Sequence, residues 1–337
     1  MTMQAMTIKA LAMRDALLEG IWNEMRHDPN IFFTSADFGS PVLDKIRSDF
    51  PARFVNVGIA EQNLINVSAG LSLEGFTVFA YAIAPFITMR CYEQIRVNLA
   101  LLAGARRLNV NLIGVGAGYS YVVSGPTHQC YEDITLMRAL PNMQLFSPAD
   151  HVSAGALLAR CIAEGGPKYL RLDAQVLPVI YADGAPEMQR GFHVHRHGGR
   201  IAFVATGYML HTAFAVAERL RQRGEAVGVI DLFDLARFDA AGLAACLSCY
   251  AGIVTMEEGF SGRGGMDALL REFAARHCPD ARLLCLGVEP AYRFDLGTRL
   301  ELHELVGIGP ESTLRAIEAL LATLGAPRSL DLEAETL

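Results

Sequence analysis

Glu61 and His128 are the side chains whose surroundings first suggest chemistry. Glu61 follows the loop Asn56-Val-Gly-Ile-Ala60 and opens a helical pattern, so a carboxyl stands where a buried strand hands over to a helix. Such a group can simply complement the positive helix end, and position alone favours that structural role. His128 lies in the loop Gly125-Pro-Thr-His-Gln129, beyond the strand pattern that ends near Val115. A loop histidine can reach a substrate, although an isolated one is usually a satisfied structural residue. Other clusters read as structural. Cys246 and Cys249 form a lone CxxC without a second pair. His193, His195 and His197 alternate on an extended segment with no Cys or carboxylate partner nearby, which suits a solvated strand face. Gly114, Gly116 and Gly118 follow a strand but lead into no clear helix, which argues against a dinucleotide loop. Glu257 and Glu258, beside the glycine-rich Ser261–Gly265, read as supports of the second half of the chain.

The elements that must position these groups alternate in type. Strand patterns occur at 31–35, 54–57, 77–81, 110–115, 143–147 and 169–172, separated by helical patterns at 61–75, 85–102, 131–140 and 149–163. That order predicts an α/β fold with a largely parallel sheet, whose ligand sites lie beyond the carboxyl ends of the strands. Proline and glycine break the pattern from Val176 to Gly199, and a second alternation follows: strands at 201–205, 226–231, 252–257 and near 282–286, helices at 209–222, 264–277, 299–305 and 311–324. The expected organisation is a first domain at 7–185, a linker at 186–198, a second domain of similar architecture at 199–325, and a loose tail at 326–337.

Composition narrows the function. Over 337 residues, 52% are hydrophobic and 19% charged, an apolar excess that suits burial against another chain. The formal net charge of -7 and the lack of a dense Lys/Arg run speak against nucleic acid as a partner. No apolar run approaches the roughly 18 residues of a membrane span, and the N-terminus reads as an amphipathic helix and not a signal peptide. Seven scattered cysteines suit buried thiols in a reducing cytoplasm.

The ordered series Val57-Gly-Ile-Ala-Glu61-Gln-Asn63, Phe86-Ile-Thr-Met-Arg-Cys-Tyr92-Glu-Gln, Ser124-Gly-Pro-Thr-His128-Gln and Met137-Arg-Ala-Leu-Pro-Asn-Met143 resembles the pyrimidine-binding domain of transketolases. Val204-Ala-Thr-Gly207, Val229-Ile-Asp-Leu232 and Thr255-Met-Glu-Glu258 look like that family's C-terminal domain, so the resemblance runs from about Thr7 to about Leu324. It implies a subunit of a thiamine-diphosphate-dependent enzyme that moves a two-carbon ketol unit between a ketose and an aldose. That coenzyme reacts through its thiazolium ring once its own aminopyrimidine is driven to the imino form. By resemblance, Glu61 is the carboxyl that drives this change. Phe86 lines the pyrimidine slot, and Met89 and Tyr92 either line it or belong to the core. Asp37 is an acid close to the cofactor, or else a cap of the following helix. His128 handles a proton at the substrate oxygen. Arg171 grips a substrate phosphate, against a salt bridge to Asp173 or another acid.

Two departures bear on substrate. Ser124 stands where many transketolases carry an acid that reads substrate hydroxyls, and no histidine lies near Gly116–Gly118 where many bind phosphate. The donor or acceptor is therefore expected to differ from the usual pentose phosphates or to lack phosphate altogether. The Gly-Asp-Gly motif that holds Mg2+ (or Ca2+) against the diphosphate in complete transketolases is absent from the sequence. No metal is expected on this chain. The implied partner is an N-terminal transketolase subunit carrying the diphosphate- and metal-binding domain, in an α2β2 heterotetramer. The alternatives are a 2-oxo acid dehydrogenase β subunit, whose loops usually lack Gly-Pro-Thr-His-Gln, and a non-catalytic scaffold.

Overall fold

The computed structural model describes residues 9–324, so the expected tail at 326–337 lies outside the described residues. All the described strands but β7 coincide with apolar runs expected from the sequence, and β7 alone runs against its neighbour. The first sheet is entirely parallel, in the order β2-β1-β3-β4-β6-β5. Its strands are β1 (Ile31–Ser35), β2 (Phe54–Asn56), β3 (Thr77–Ile83), β4 (Asn109–Val115), β5 (Gln144–Phe146) and β6 (Gly166–Leu172). Alternate residues of β4 feed different cores, because successive strand side chains point to opposite faces. Val110 and Leu112 pack with Leu64, Ile95 and Met137, whereas Ile113 and Val115 pack with Leu17, Ile46 and Leu157.

Helices cover both faces. One side carries α1 (Met13–Met25), α2 (Pro41–Asp49) and α5 (His151–Ala163); the other carries α3 (Glu61–Leu73) and α4 (Asp133–Arg138). Helix α2 was not expected. Its start is nonetheless written locally: the Ser40 hydroxyl accepts from the Leu43 N–H, and Pro41 fills the first helical position. Asp150 and Ser153 form a reciprocal capping box at the start of α5.

The second sheet runs β11-β10-β8-β9-β7, built from β7 (Phe192–Arg196), β8 (Ile201–Ala205), β9 (Gly228–Leu232), β10 (Gly252–Phe260) and β11 (Arg282–Val288). Strand β7 falls inside the stretch expected as a linker and pairs antiparallel with β9. Of the three alternating histidines only His197, beyond the strand, is exposed; His193 and His195 lie 4.6 Å apart between ring centroids, half-buried against Tyr181, with His195 also on Phe214. Burial lowers the His195 pKa to about 4, so it packs as a neutral ring. Helices α6 (Met209–Gln222), α7 (Ala240–Leu247), α8 (Met266–His277), α9 (Arg299–Leu305) and α10 (Pro310–Thr323) complete the domain. Helix α7, also unexpected, is capped by Asp239 onto the Gly242 N–H.

Buried ion pairs join the domains. Arg171 on β6 donates to Asp133 at 2.8 Å and to the Glu258 carbonyl at 2.8 Å. Arg299 on α9 places its guanidinium against the Glu258 carboxylate and, from its other nitrogen, 2.6 Å from Asp173. His303 and the Tyr119 N–H complete the shell around Glu258. Burial alone would raise the Glu258 pKa, but Arg299 and His303 outweigh it and hold the carboxyl below its ordinary range. Glu257 points the other way and caps α8 through the Met266 and Asp267 N–H groups. Both acids thus support the fold, as their sequence context suggested.

Candidate active site

Three strand ends along one edge of the first sheet deliver the site. The loop after β2 leads to Glu61 at the first turn of α3, the loop after β3 leads to Phe86, and the segment after β4 carries Tyr121 and His128. This edge is where an open α/β sheet offers its crevice.

The segment after β3 departs from the single helix expected over 85–102. Phe86–Arg90 and Ile95–Leu101 are wide π-helical turns with the short Tyr92–Gln94 α-turn between them. Such turns insert an extra residue and recur at functional sites. Here the Cys91 thiol donates to the Ile87 carbonyl at 2.7 Å and the Thr88 hydroxyl to the Ala84 carbonyl at 2.7 Å, which anchors the turn from its buried side. Burial, then the charge of Glu61, pushes the Cys91 thiol up to about 12, so it is inert.

Glu61 is 2% exposed, and its hydrogen-bond partner is the Arg90 guanidinium at 2.7 Å. Arg90 also lies 4.6 Å from the centre of the Phe86 ring. The Phe86 ring in turn meets His128 edge-on at 5.3 Å between centroids. Thr127 Oγ1 sits 3.0 Å from His128 Nδ1, while His128 Nε2 has no hydrogen-bond partner among the described residues. Tyr121 backs the imidazole at 6.4 Å. The Tyr121 ring occupies the space that a Cβ on Gly116 would need, and Gly116 has φ 108°, so a side chain there would displace the ring behind His128.

The structure brings Glu61, Phe86 and His128 together and leaves other expected residues outside the group. Met89 is exposed on the same turn. Tyr92 belongs to the core, packed against it with its hydroxyl donating to the Leu136 carbonyl at 3.1 Å. Asp37 follows β1 at the same sheet edge, in a left-handed conformation of φ 51°, and accepts from the Asn56 amide at 3.0 Å. It does not cap α2; Ser40 does. Ser124 is exposed in the His128 loop. Arg171 requires correction: its side chain is 1% exposed and engaged with Asp133 and Glu258, so the salt-bridge alternative holds and no phosphate grip is available. Arg90 and Tyr121 were not among the residues expected at the site. The i, i+4 spacing of Phe86 and Arg90 was a signal for the first; the glycines that follow β4 were a faint one for the second.

A buried carboxyl, an aromatic ring and an imidazole fit a flat nitrogen heterocycle. Among the described residues, no group of three His, Cys, Asp or Glu could hold a metal ion, and no helix is long and apolar enough to cross a membrane. Comparison with known proteins decides the family. Residues 9–179 match the transketolase pyrimidine-binding domain and residues 191–312 the transketolase C-terminal domain.

The chain belongs to the transketolase family. Within it, the chain is 31% identical over 78% of its length to a subunit of the apulose-4-phosphate transketolase of Actinobacillus succinogenes, covering 83% of that protein. It is 27% identical over 90% of its length to a subunit of the 6-deoxy-6-sulfo-D-fructose transketolase of a Clostridium species, covering 92%. Among solved structures, a split-gene transketolase in an inactive β4 tetramer superposes with a TM-score of 0.81 at 30% identity, over 93% of this chain and 99% of that one. The transketolase of Campylobacter jejuni shares the fold, with a TM-score of 0.77 at 19% identity, and this chain spans 48% of it. As a transketolase-family protein, the chain is a transketolase-type transferase of the thiamine-diphosphate class.

Proposed function

We infer that this chain is the pyrimidine-binding subunit of a split transketolase, and that it completes its active site with a partner that holds the coenzyme's diphosphate and Mg2+. The observation that carries this reading is the convergence of Glu61, Phe86 and His128 at three strand ends, with no metal-ligand group beside them among the described residues. Exposed apolar side chains support a partner at this edge. Ile59 and Val123 are 77% and 83% exposed, and Met89, Val97 and Leu101 are exposed on the turns that follow Phe86. The subunit naming of the relatives supports it too, and an α2β2 assembly in the cytoplasm, where the free cysteines stay reduced, suits both.

In this role Glu61 holds a proton at the pyrimidine ring nitrogen, and its burial keeps water from competing for that hydrogen bond. Phe86 offers the ring a face. Bound thiamine diphosphate supplies the nucleophilic carbon that carries the ketol unit. His128, with Nε2 available and Nδ1 beside Thr127, donates to and accepts from the substrate oxygen as the carbon–carbon bond breaks or forms. The substrate is a ketose and aldose pair of modified-sugar type. Ser124 in place of an acid and the internal engagement of Arg171 both remove contacts suited to the common pentose phosphates.

Mixing the purified subunits with thiamine diphosphate and magnesium tests the division of labour. Ketol transfer is expected only from the mixture; turnover by this chain alone contradicts the split arrangement. Within the mixture, His128→Ala is expected to lower kcat about 100-fold while thiamine diphosphate affinity stays within about twofold, because the imidazole serves the substrate. A matching loss of coenzyme affinity, measured by calorimetry, would reassign His128 to the coenzyme.

A further inference from the structure

Arg90 lies on both groups that the pyrimidine would use. Its guanidinium bonds Glu61 at 2.7 Å and covers the Phe86 ring at 4.6 Å. We propose that Arg90 is a placeholder: it covers the carboxyl and the ring face in the unloaded subunit, and it withdraws from both when the pyrimidine of thiamine diphosphate docks. This inference rests on the functional reading of Glu61 and Phe86.

The asymmetry of the pair supports a movable arginine. The Glu61 side chain is 3% exposed and the Arg90 side chain 46%, so the carboxyl is fixed inside while solvent already reaches the guanidinium. An unpaired buried carboxylate is costly, and Arg90 is its ion-pair partner among the described residues. Releasing the arginine to water costs little, because half-exposed pairs are weak. The backbone beneath it is pinned separately. Gln62 donates to the Arg90 carbonyl at 3.3 Å and Cys91 anchors the turn, so the side chain can swing without moving Phe86. A ring that enters beside Phe86 competes with the guanidinium for one face and one carboxyl. Apparent affinity is then reduced by the fraction of molecules in which Arg90 holds both.

Arg90→Ala tests this in two settings, with Arg90→Gln as the second variant should the first fail to fold by circular dichroism. In the chain alone, carbodiimide coupling of glycinamide to Glu61, mapped by peptide mass spectrometry, is expected to rise about two- to fivefold as the cover is lost. In the reconstituted enzyme with magnesium, thiamine diphosphate is expected to bind about two- to fivefold tighter, with the gap from wild type narrowing as salt is raised. A merely structural arginine would weaken binding instead. Unchanged labelling, or coenzyme binding that is equal or weaker, overturns the placeholder. Glu61→Ala separates the two levels: if it retains wild-type coenzyme affinity and turnover, the site reading itself fails; if it loses them while Arg90→Ala binds no tighter, only the placeholder fails.

Discussion

Replacing Glu61 by alanine is expected to lower kcat of the assembled enzyme by about 10²- to 10⁴-fold, the range associated with losing a positioned proton-handling group. The expectation follows from burial. The carboxyl is 2% exposed at the start of α3, next to the Phe86 turn, so a hydrogen bond made there meets little competition from water. Glu61→Gln refines the result. An amide can still bond a ring nitrogen but handles a proton poorly, so coenzyme affinity should fall far less than kcat. Stability should change little in either variant, because the ion pair lost is half in solvent on the Arg90 side. A thermal melt of the isolated chain beside steady-state kinetics of the pair distinguishes a chemical role from a structural one.

The largest effect on stability is expected at Arg299. This side chain is 5% exposed, contacts both Asp173 and Glu258 at 2.6 Å, and stacks 3.5 Å over the Tyr208 ring. Asp173 follows β6 of the first domain, whereas Glu258 and Arg299 belong to the second, so the guanidinium ties the domains together. Arg299→Ala leaves two buried carboxyls without their main cation, a change that costs about 3–5 kcal/mol. In a chain of this size the melting temperature should fall by roughly 5–10 °C. The loss should also reach the active-site edge, since Glu258 accepts from the Tyr119 N–H in the segment that leads to Tyr121 and His128. Arg299→Met is the informative companion: it keeps bulk over Tyr208 without the charge, and should recover little if the ion pairs dominate. A melt unchanged by Arg299→Ala would show that its ion pairs add little to the other contacts between the domains, among them that of Arg171 with the Glu258 carbonyl.

What could be seen in the sequence followed from local pattern. Apolar runs located β1, β4, β8 and β10, and the order of strand and helix required a parallel sheet whose strand ends carry Glu61 and His128. Helices α2 and α7 are too short to show a helical period, although Ser40-Pro41 and Asp239 mark their starts. At single residues the deciding factor is tertiary pairing. The local sequence of Arg171 suits a phosphate contact, but Asp133, 38 positions away, occupies its guanidinium. Tyr92 has the spacing of a slot residue, but its hydroxyl is spent on Leu136 across the core. The two histidines of β7 alternate as an exposed face would, yet Tyr181 packs against both and Phe214 against His195. Charge neutralisation between distant segments leaves no trace in local periodicity, and for that reason the cover of Arg90 over Glu61 emerged only from the fold.

If the coenzyme's pyrimidine meets Glu61 of this chain while its diphosphate is held elsewhere, neither subunit can bind the whole coenzyme by itself. Calorimetric titration of thiamine diphosphate with magnesium, into this chain, into the partner subunit and into their mixture, addresses this directly. Full-affinity binding is expected in the mixture only, at one coenzyme per copy of this chain, with a marked loss of affinity in a mixture made with Glu61→Ala. Full-affinity binding to this chain alone, or a mixture indifferent to Glu61→Ala, would contradict it.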